Sequence, residues 1–408
     1  MTIDEASIEQ ILRPLIEVDT SNPPGKNYEK IVKIIEEQLA PTGCKIELPK
    51  PPQERVKELF RESEGVRGER VNLVATLDRG KGKTVILNGH MDVVPAPGAW
   101  TYPPFKLSKK DGMLYGRGVA DMKGSLTVLI LVFRRLAEDK SWKGKLVLTA
   151  TVDEEIGGYT GLAYLFDEKL VKGDYCIVGD GAANNITNAA NGCLRFRVSL
   201  RGKSVHSSMN WRGINAIDKA AHLITRLEEY NASLQKRKSK VPTNPDAGVD
   251  RLTPSLTVGL IRGGTKVNIV PDRCVVNIDR RVIPEEEKIK AIEEFEQILD
   301  ELEKKDENFK YDLLIGGSHD SFHTPEDSEV VKTLRASYEE VKGEKCPAYG
   351  GLGCYDAAYA AKHGIPTAVL GVSRTAESNV HGIDERARIS DLVDFGNIVE
   401  KTVLKLLK

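Results

Sequence analysis

Apolar residues recur along this chain in two rhythms. Over roughly the first half and again near the end, they gather into short near-continuous runs. Val71 to Leu77, Thr84 to Leu87, Lys145 to Val152, Asp174 to Val178 and Pro366 to Leu370 are such runs. Strands with this pattern are buried on both faces, as in the parallel part of an α/β sheet. Cys44 to Leu48 adds a further strand. Between them lie helical patterns. Residues 1 to 40 read as two helices split by Thr20-Ser21-Asn22-Pro23-Pro24-Gly25, and Tyr28 to Leu39 sets Ile31, Ile34 and Ile35 on one face. Ser125 to Ala137 is apolar all round, a helix packed inside its domain. Val330 to Val341, Ala357 to His363 and a last helix from about Ser390 complete this part.

From about residue 190 the rhythm changes to strict alternation. Leu194, Phe196, Val198 and Leu200 alternate with Arg195, Arg197, Ser199 and Arg201, a strand with one wet face. A helix from Asn215 to about Leu234 follows, then strands Ser255 to Ile261 and Cys274 to Val282. A helix from Pro284 to Glu303 and a strand from Phe309 to Ile315 close the segment. The order β-α-β-β-α-β is the split ferredoxin-like motif. The expected architecture is therefore α/β, with a larger domain formed by residues 1–189 and 318–408. A ferredoxin-like domain, residues 190–317, is inserted into it.

Composition narrows the function. A chain of 408 residues exceeds one hydrophobic core. With 59 basic against 60 acidic residues, no field points to nucleic acid or an acidic membrane. The longest apolar run, Val128 to Phe133, is too short to span a bilayer, and the acids near the N-terminus do not suit a secretory signal. Six scattered cysteines without a Cys-x-x-Cys pair imply free thiols and a cytoplasmic location.

Candidate chemistry collects where strands end. The run Thr84 to Leu87 stops at Asn88-Gly89, with His90 next and Asp92 two residues on. Open α/β sheets bind ligands at the carboxyl ends of their strands, and a carboxylate commonly holds the second nitrogen of a metal-binding imidazole. By itself a histidine at a strand end is more often a hydrogen-bonded loop residue. Gly116-Arg117-Gly118-Val119-Ala120-Asp121-Met122-Lys123-Gly124 opens the buried helix, and helix capping is the simple account of Asp121. The strand to Val152 runs into Asp153-Glu154-Glu155-Ile156-Gly157-Gly158. Adjacent residues of an extended chain face opposite ways, which would give Glu154 and Glu155 different roles. Asp180 follows the strand Asp174 to Val178, and His381 lies in a late loop. Two imidazoles and several carboxylates without a thiolate suit two divalent cations, zinc first, then cobalt or manganese.

In this order the motifs resemble the co-catalytic zinc amidohydrolases and peptidases that include acetylornithine deacetylase, succinyl-diaminopimelate desuccinylase, aminoacylase and glutamate carboxypeptidase. The resemblance covers nearly the whole length, and it implies a zinc-peptidase-like three-layer catalytic domain with a mixed sheet, the inserted ferredoxin-like domain serving as lid and dimerisation domain. It implies that Asp121 bridges two metals, that His90 and Asp180 complete one site, and that Glu155 and His381 complete the other. It further implies Glu154 as general base and Asp92 as the residue orienting His90. His206, in Gly202-Lys203-Ser204-Val205-His206-Ser207, would bind the developing oxyanion, often in a partner subunit's site; from the residues alone it is a polar loop residue. Asn268, Arg281 and Gly353 correspond to positions for substrate polar groups, although the glycines around Gly353 equally allow a tight turn. The implied function is amide hydrolysis of an N-acyl amino acid or small peptide by a homodimer joined through the inserted domain. Carboxypeptidase or dipeptidase activity is the alternative, and a non-catalytic metal-binding relative a remote one. Asp180 stands where the deacylase branch more often has Glu, and the turn around Cys354 lacks the Thr that many deacylases carry. His319 and His323 receive no role.

Overall fold

The aliphatic runs assemble into one nine-stranded mixed sheet, in a computed structural model describing residues 2–62 and 65–408. Its centre is parallel: Thr84–His90 pairs with Gly144–Thr151 on one side and Tyr175–Val178 on the other, and Thr367–Val369 continues in the same direction. The carboxyl ends of these strands therefore share one edge. Leu73–Arg79 runs antiparallel to Gly144–Thr151, and Ile186–Ala190 antiparallel to Thr367–Val369 but parallel to Ala348–Gly351. Successive side chains alternate across the sheet. Val85 and Leu87 enter a core with helices Glu5–Glu17, Tyr28–Leu39, Lys123–Glu138, Glu329–Lys342 and Ile389–Leu406, whereas Ile86 faces Leu162–Asp167 and Ala357–Lys362. The result is three layers, helix–sheet–helix.

The alternating segment forms a separate four-stranded antiparallel sheet, in the order Ser255–Gly263, Arg273–Val282, Gly192–Arg201, Lys310–His319. Its inner face packs against Ala216–Leu234 and Lys288–Lys305 in a core of its own, with Phe196 stacked on Phe295 at 4.0 Å. The chain enters this sheet through Asn191 and Gly192 and leaves it at Asp320. The two passages nearly touch, since a Cβ on Gly192 would lie 2.5 Å from the Ser321 nitrogen.

Several elements differ from the sequence expectation. The strand expected to stop at Leu87 continues to His90, because Asn88 turns inward and donates to the Thr149 and Thr151 hydroxyls at 3.0 and 3.2 Å. The helix expected from Pro284 begins at Lys288; Glu286 instead takes the Arg280 guanidinium at 2.8 Å and the Ile283 N–H at 3.2 Å. Helix Gln53–Glu62 and a three-stranded ribbon (Ser108–Lys110, Met113–Tyr115, Arg386–Arg388) are additional to the expected elements. The ribbon ties the segment before Asp121 to the segment after His381.

Candidate active site

His90 ends its strand fully inside the protein. Its Nδ1 lies 2.9 Å from the Asp92 main-chain carbonyl and 3.7 Å from the Asp92 carboxylate, so the carbonyl receives the Nδ1 proton. Nε2 then points at Asp121 Oδ1, 3.1 Å away. From the other side, His381 Nε2 stands 3.2 Å from Asp121 Oδ2 and 3.2 Å from Glu155 Oε2. Asp121 thus offers one oxygen to each imidazole. It is not a helix cap: the helix starts at Lys123, with Met122 at the cap position and no side-chain cap bond. Ligand atoms of His90, Asp121 and Glu155 all lie within 4.8 Å of one another.

Two buried hubs hold this arrangement. The first is Glu385, whose Oε1 accepts from the backbone N–H groups of Gly118, Ala120 and Asp121 at 3.0, 3.0 and 3.1 Å. Arg117 pairs with the same carboxylate and donates to the His381 carbonyl at 3.2 Å. One ion pair therefore fixes the Asp121 loop against the His381 loop. Lys123 anchors the motif from below, donating to the carbonyls of Leu15 and Val18 at 3.0 and 2.8 Å. The second hub is Asp153, in the left-handed region at φ 64°. It accepts from Arg70 Nε at 2.8 Å, Asn22 at 2.8 Å, the Tyr28 hydroxyl at 2.9 Å and Thr160. Breaking such a buried pair costs about 3–5 kcal/mol. The turn at Asp153 ends the strand, and Glu154–Ile156 coils into a 3₁₀ turn. Glu154 and Glu155 are consequently not neighbours on an extended chain. Their N–H groups are both held by Asp92, at 3.2 Å each. The Asp92 carboxylate serves the two glutamates, and its carbonyl serves His90.

Asp121, Glu154, Glu155, Asp180 and His381 line a cleft of 560 Å³ between the two sheets. Volumes of this size suit a small ligand. Arg281 and Gly353, expected to meet substrate, also line it. His206 and Asn268 do not. The strand Gly192–Arg201 starts at the cleft and runs away from it, so its far end lies about 20 Å beyond Arg195 at the usual strand rise. His206 follows that far end, exposed and bonded to Ser208 at 2.8 Å. Asn268 sits beside it, its carbonyl accepting from Ser207 at 3.0 Å. Sequence order alone could not show that strand's direction.

The chain matches a family model described as peptidase family M20/M25/M40 over residues 86–405. It belongs to that family. The succinyl-diaminopimelate desuccinylase of Hydrogenovibrio crunogenus is 29% identical over 414 residues, 98% of this chain and 98% of the relative. The acetylornithine deacetylase of Photorhabdus laumondii is 32% identical over 270 residues, 66% of this chain and 63% of the relative. An M20-family metallo-carboxypeptidase of Sulfolobus solfataricus superimposes with a TM-score of 0.80 at 20% identity, covering 99% of each chain. The resemblance carried by the motifs thus holds at the level of family and fold. The chain is a metallohydrolase acting on amide bonds.

M20/M25/M40 enzymes depend on metal, and the donors here fit divalent cations on physical grounds. Imidazole nitrogens and carboxylate oxygens converge without a thiolate. Glu155 Oε1 is buried with no hydrogen-bond partner in the protein. Burial, then the charge of Asp121, pushes both Glu155 and Asp180 up to about 7, while hydrogen bonds to Asp121 and Glu155 lift His381 to about 10. Such carboxylates gain most from a cation.

A pH prediction follows from these directions. Each of the three groups holds its proton more tightly folded than unfolded. Their contribution to the metal-free fold is therefore complete below the unfolded values and is lost as pH rises through the folded ones. The chelator-treated chain is expected to melt progressively lower between about pH 5 and pH 9, and saturating divalent cation should reverse that trend. Scanning calorimetry checks it; a melting temperature that climbs over this window without metal would contradict the reading.

Sequence reasoning missed Glu385, Arg117, Asp153 and Arg70, and it assigned no role to Arg195, His319 and Arg374, which line the cleft. His319 ends the strand that returns from the smaller sheet and is buried; burial and Arg195 push it down to about 3, so its ring is neutral. The placement of its strand end beside the cleft is the signal that reading order alone concealed.

Proposed function

We propose that this protein hydrolyses the amide bond of an N-acyl amino acid or a short peptide, with two divalent cations at the strand-end cluster. The observation that carries the reading is Asp121, spanned by two imidazoles, one on each carboxylate oxygen. In this reading Asp121 is shared between the cations, His90 and Asp180 complete one site, and Glu155 and His381 complete the other. Zinc suits the donor set best, with cobalt or manganese as substitutes. Cations bound there acidify water and polarise a carbonyl.

The remaining work falls to the chain. Glu154 takes a proton from water at its carboxylate and passes it to the leaving nitrogen. Burial and the charges of Asp356, Glu155 and Asp180 raise its proton affinity, which suits a base that must hold a proton before returning it. Arg281 binds the substrate carboxylate from the smaller sheet, held in place by Asp279 at 2.7 Å. Gly353 offers its backbone to the same group.

The desuccinylase and deacetylase relatives favour an N-acyl amino acid, and the carboxypeptidase neighbour keeps peptides as the second substrate class. Residues 190–317 act as an inserted lid and dimerisation domain on the domain formed by 1–189 and 318–408, supported by the separate cores. A homodimer through that domain accounts for His206 lying far from its own cleft and for the exposed Trp211 and Val267 nearby. Six free thiols support a cytoplasmic setting, and among the described residues no helix is long and apolar enough to cross a membrane.

The test is a hydrolysis panel on metal-loaded protein. It sets N-acetyl- and N-succinyl-amino acids against dipeptides and peptides with a blocked C-terminus. Acyl substrates with a free carboxylate should turn over fastest, with Arg281→Ala raising KM more than it lowers kcat. Protein carrying two cations that cleaves none of these would sink the proposal.

A further inference from the structure

Cys193 and Cys354 stand on the same cleft wall but belong to different parts of the fold. Cys193 follows Gly192 directly, so it is the first residue past the point where the chain enters the smaller sheet. Cys354 lies in the glycine-rich turn after Ala348–Gly351, in the larger unit. Cys193 is directly paired with Arg281 on the adjacent antiparallel strand, and such partners share a face with Cβ atoms about 5 Å apart. The Arg281 guanidinium reaches across to the Cys354 sulfur at 3.3 Å. A hydrogen bond between the two thiols places them against one another beside that arginine. Neither is taken up by the hydrolytic chemistry.

We propose that Cys193 and Cys354 are a modification site: a thiol pair that closes to a disulfide between the two units and shuts down hydrolysis. The oxidant is a small disulfide such as oxidised glutathione. A thiolate of the pair attacks one sulfur of the oxidant, forming a mixed disulfide and releasing one thiolate. The second thiol of the pair, losing its proton to solvent, attacks that mixed disulfide and releases the other. The protein loses two electrons and two protons, and the oxidant is reduced to two thiols.

The chain is built to start and to feel this reaction. Cys193 is held below the ordinary thiol range, at about 6, by hydrogen bonding from Cys354 and by Arg195, which favours the thiolate that attacks. Cys354 is the more exposed of the two and is open to the cleft. The bond would form next to the narrow crossing at Gly192, adding a covalent link where the two units already nearly touch. It would hold the units at one separation and remove the thiol that Arg281 contacts.

The test uses the full metal-loaded chain, treated with oxidised glutathione and mapped by mass spectrometry after digestion without reductant. A linked Cys193–Cys354 peptide is expected, with roughly tenfold or greater loss of hydrolysis that dithiothreitol restores. Cys193→Ser and Cys354→Ser, each compared with its own untreated form, should lose no activity on oxidation. The linkage is read without substrate, so it fails separately from the proposed hydrolysis. Glutathione adducts without the linked peptide would overturn the pairing. A linked peptide with unchanged turnover would overturn the shutdown, as would equal inactivation of the Cys193→Ser variant.

Discussion

Glu154→Gln is expected to lower kcat by about 10²–10⁴-fold while leaving the metal content and the fold unchanged. The substitution keeps the shape of the side chain but removes its ability to take a proton. It should not disturb the site, because the backbone N–H of Glu154 is held by Asp92 whatever side chain follows it. Nor is the Glu154 carboxylate part of the His90–Asp121–Glu155 cluster whose ligand atoms converge. Binding of divalent cation should accordingly stay close to that of the parent chain. Metal analysis, kcat and KM measured together decide the matter. Turnover above about a tenth of the parent value would remove Glu154 as the base.

The second large effect concerns Asp121. Asp121→Ala takes away the carboxylate that both imidazoles face, and with it the negative charge between His90 and His381. The loop itself should stay in place. Its backbone is bound to Glu385 rather than through the Asp121 side chain, and His90 keeps its bond to the Asp92 carbonyl. The expected result is loss of tightly bound cation from both positions and a fall in turnover of about 10³-fold or more. Calorimetric titration with zinc should find no tight site. Loss of a single ion would make Asp121 a ligand of one position only, and retention of both would contradict the shared carboxylate.

The residue of the first prediction stood out in the sequence for one physical reason. Near-continuous apolar strands are buried, so a polar residue at the end of such a run must be satisfied by something. His90, Glu154, Glu155 and Asp180 were all recognisable in that way. The supporting residues were not. Glu385 follows His381 by four positions in a polar loop, and nothing there distinguishes it from a surface acid. Only the folded chain shows it buried against three N–H groups of a loop more than 260 residues earlier. Asp153 looked like the first of three equivalent acids, yet it carries the turn that separates them, and its partners Asn22, Tyr28 and Arg70 come from distant segments.

Local pattern pointed to the central strands of the two sheets, most of their helices and the strand-end acids and imidazoles, because burial period and strand termination are properties of neighbouring residues. It left open what depends on where strands lie and which way they run. The direction of Gly192–Arg201 placed Arg195 and Cys193 on the cleft and carried His206 away from it. The ribbon joining Met113–Tyr115 to Arg386–Arg388 brought His381 to Asp121. Charge crowding among Asp121, Glu155 and Asp180 exists only once these segments meet. The sequence determined which groups could serve a metal; the tertiary structure decided which of them converge, because convergence rests on long-range pairings that no local period encodes.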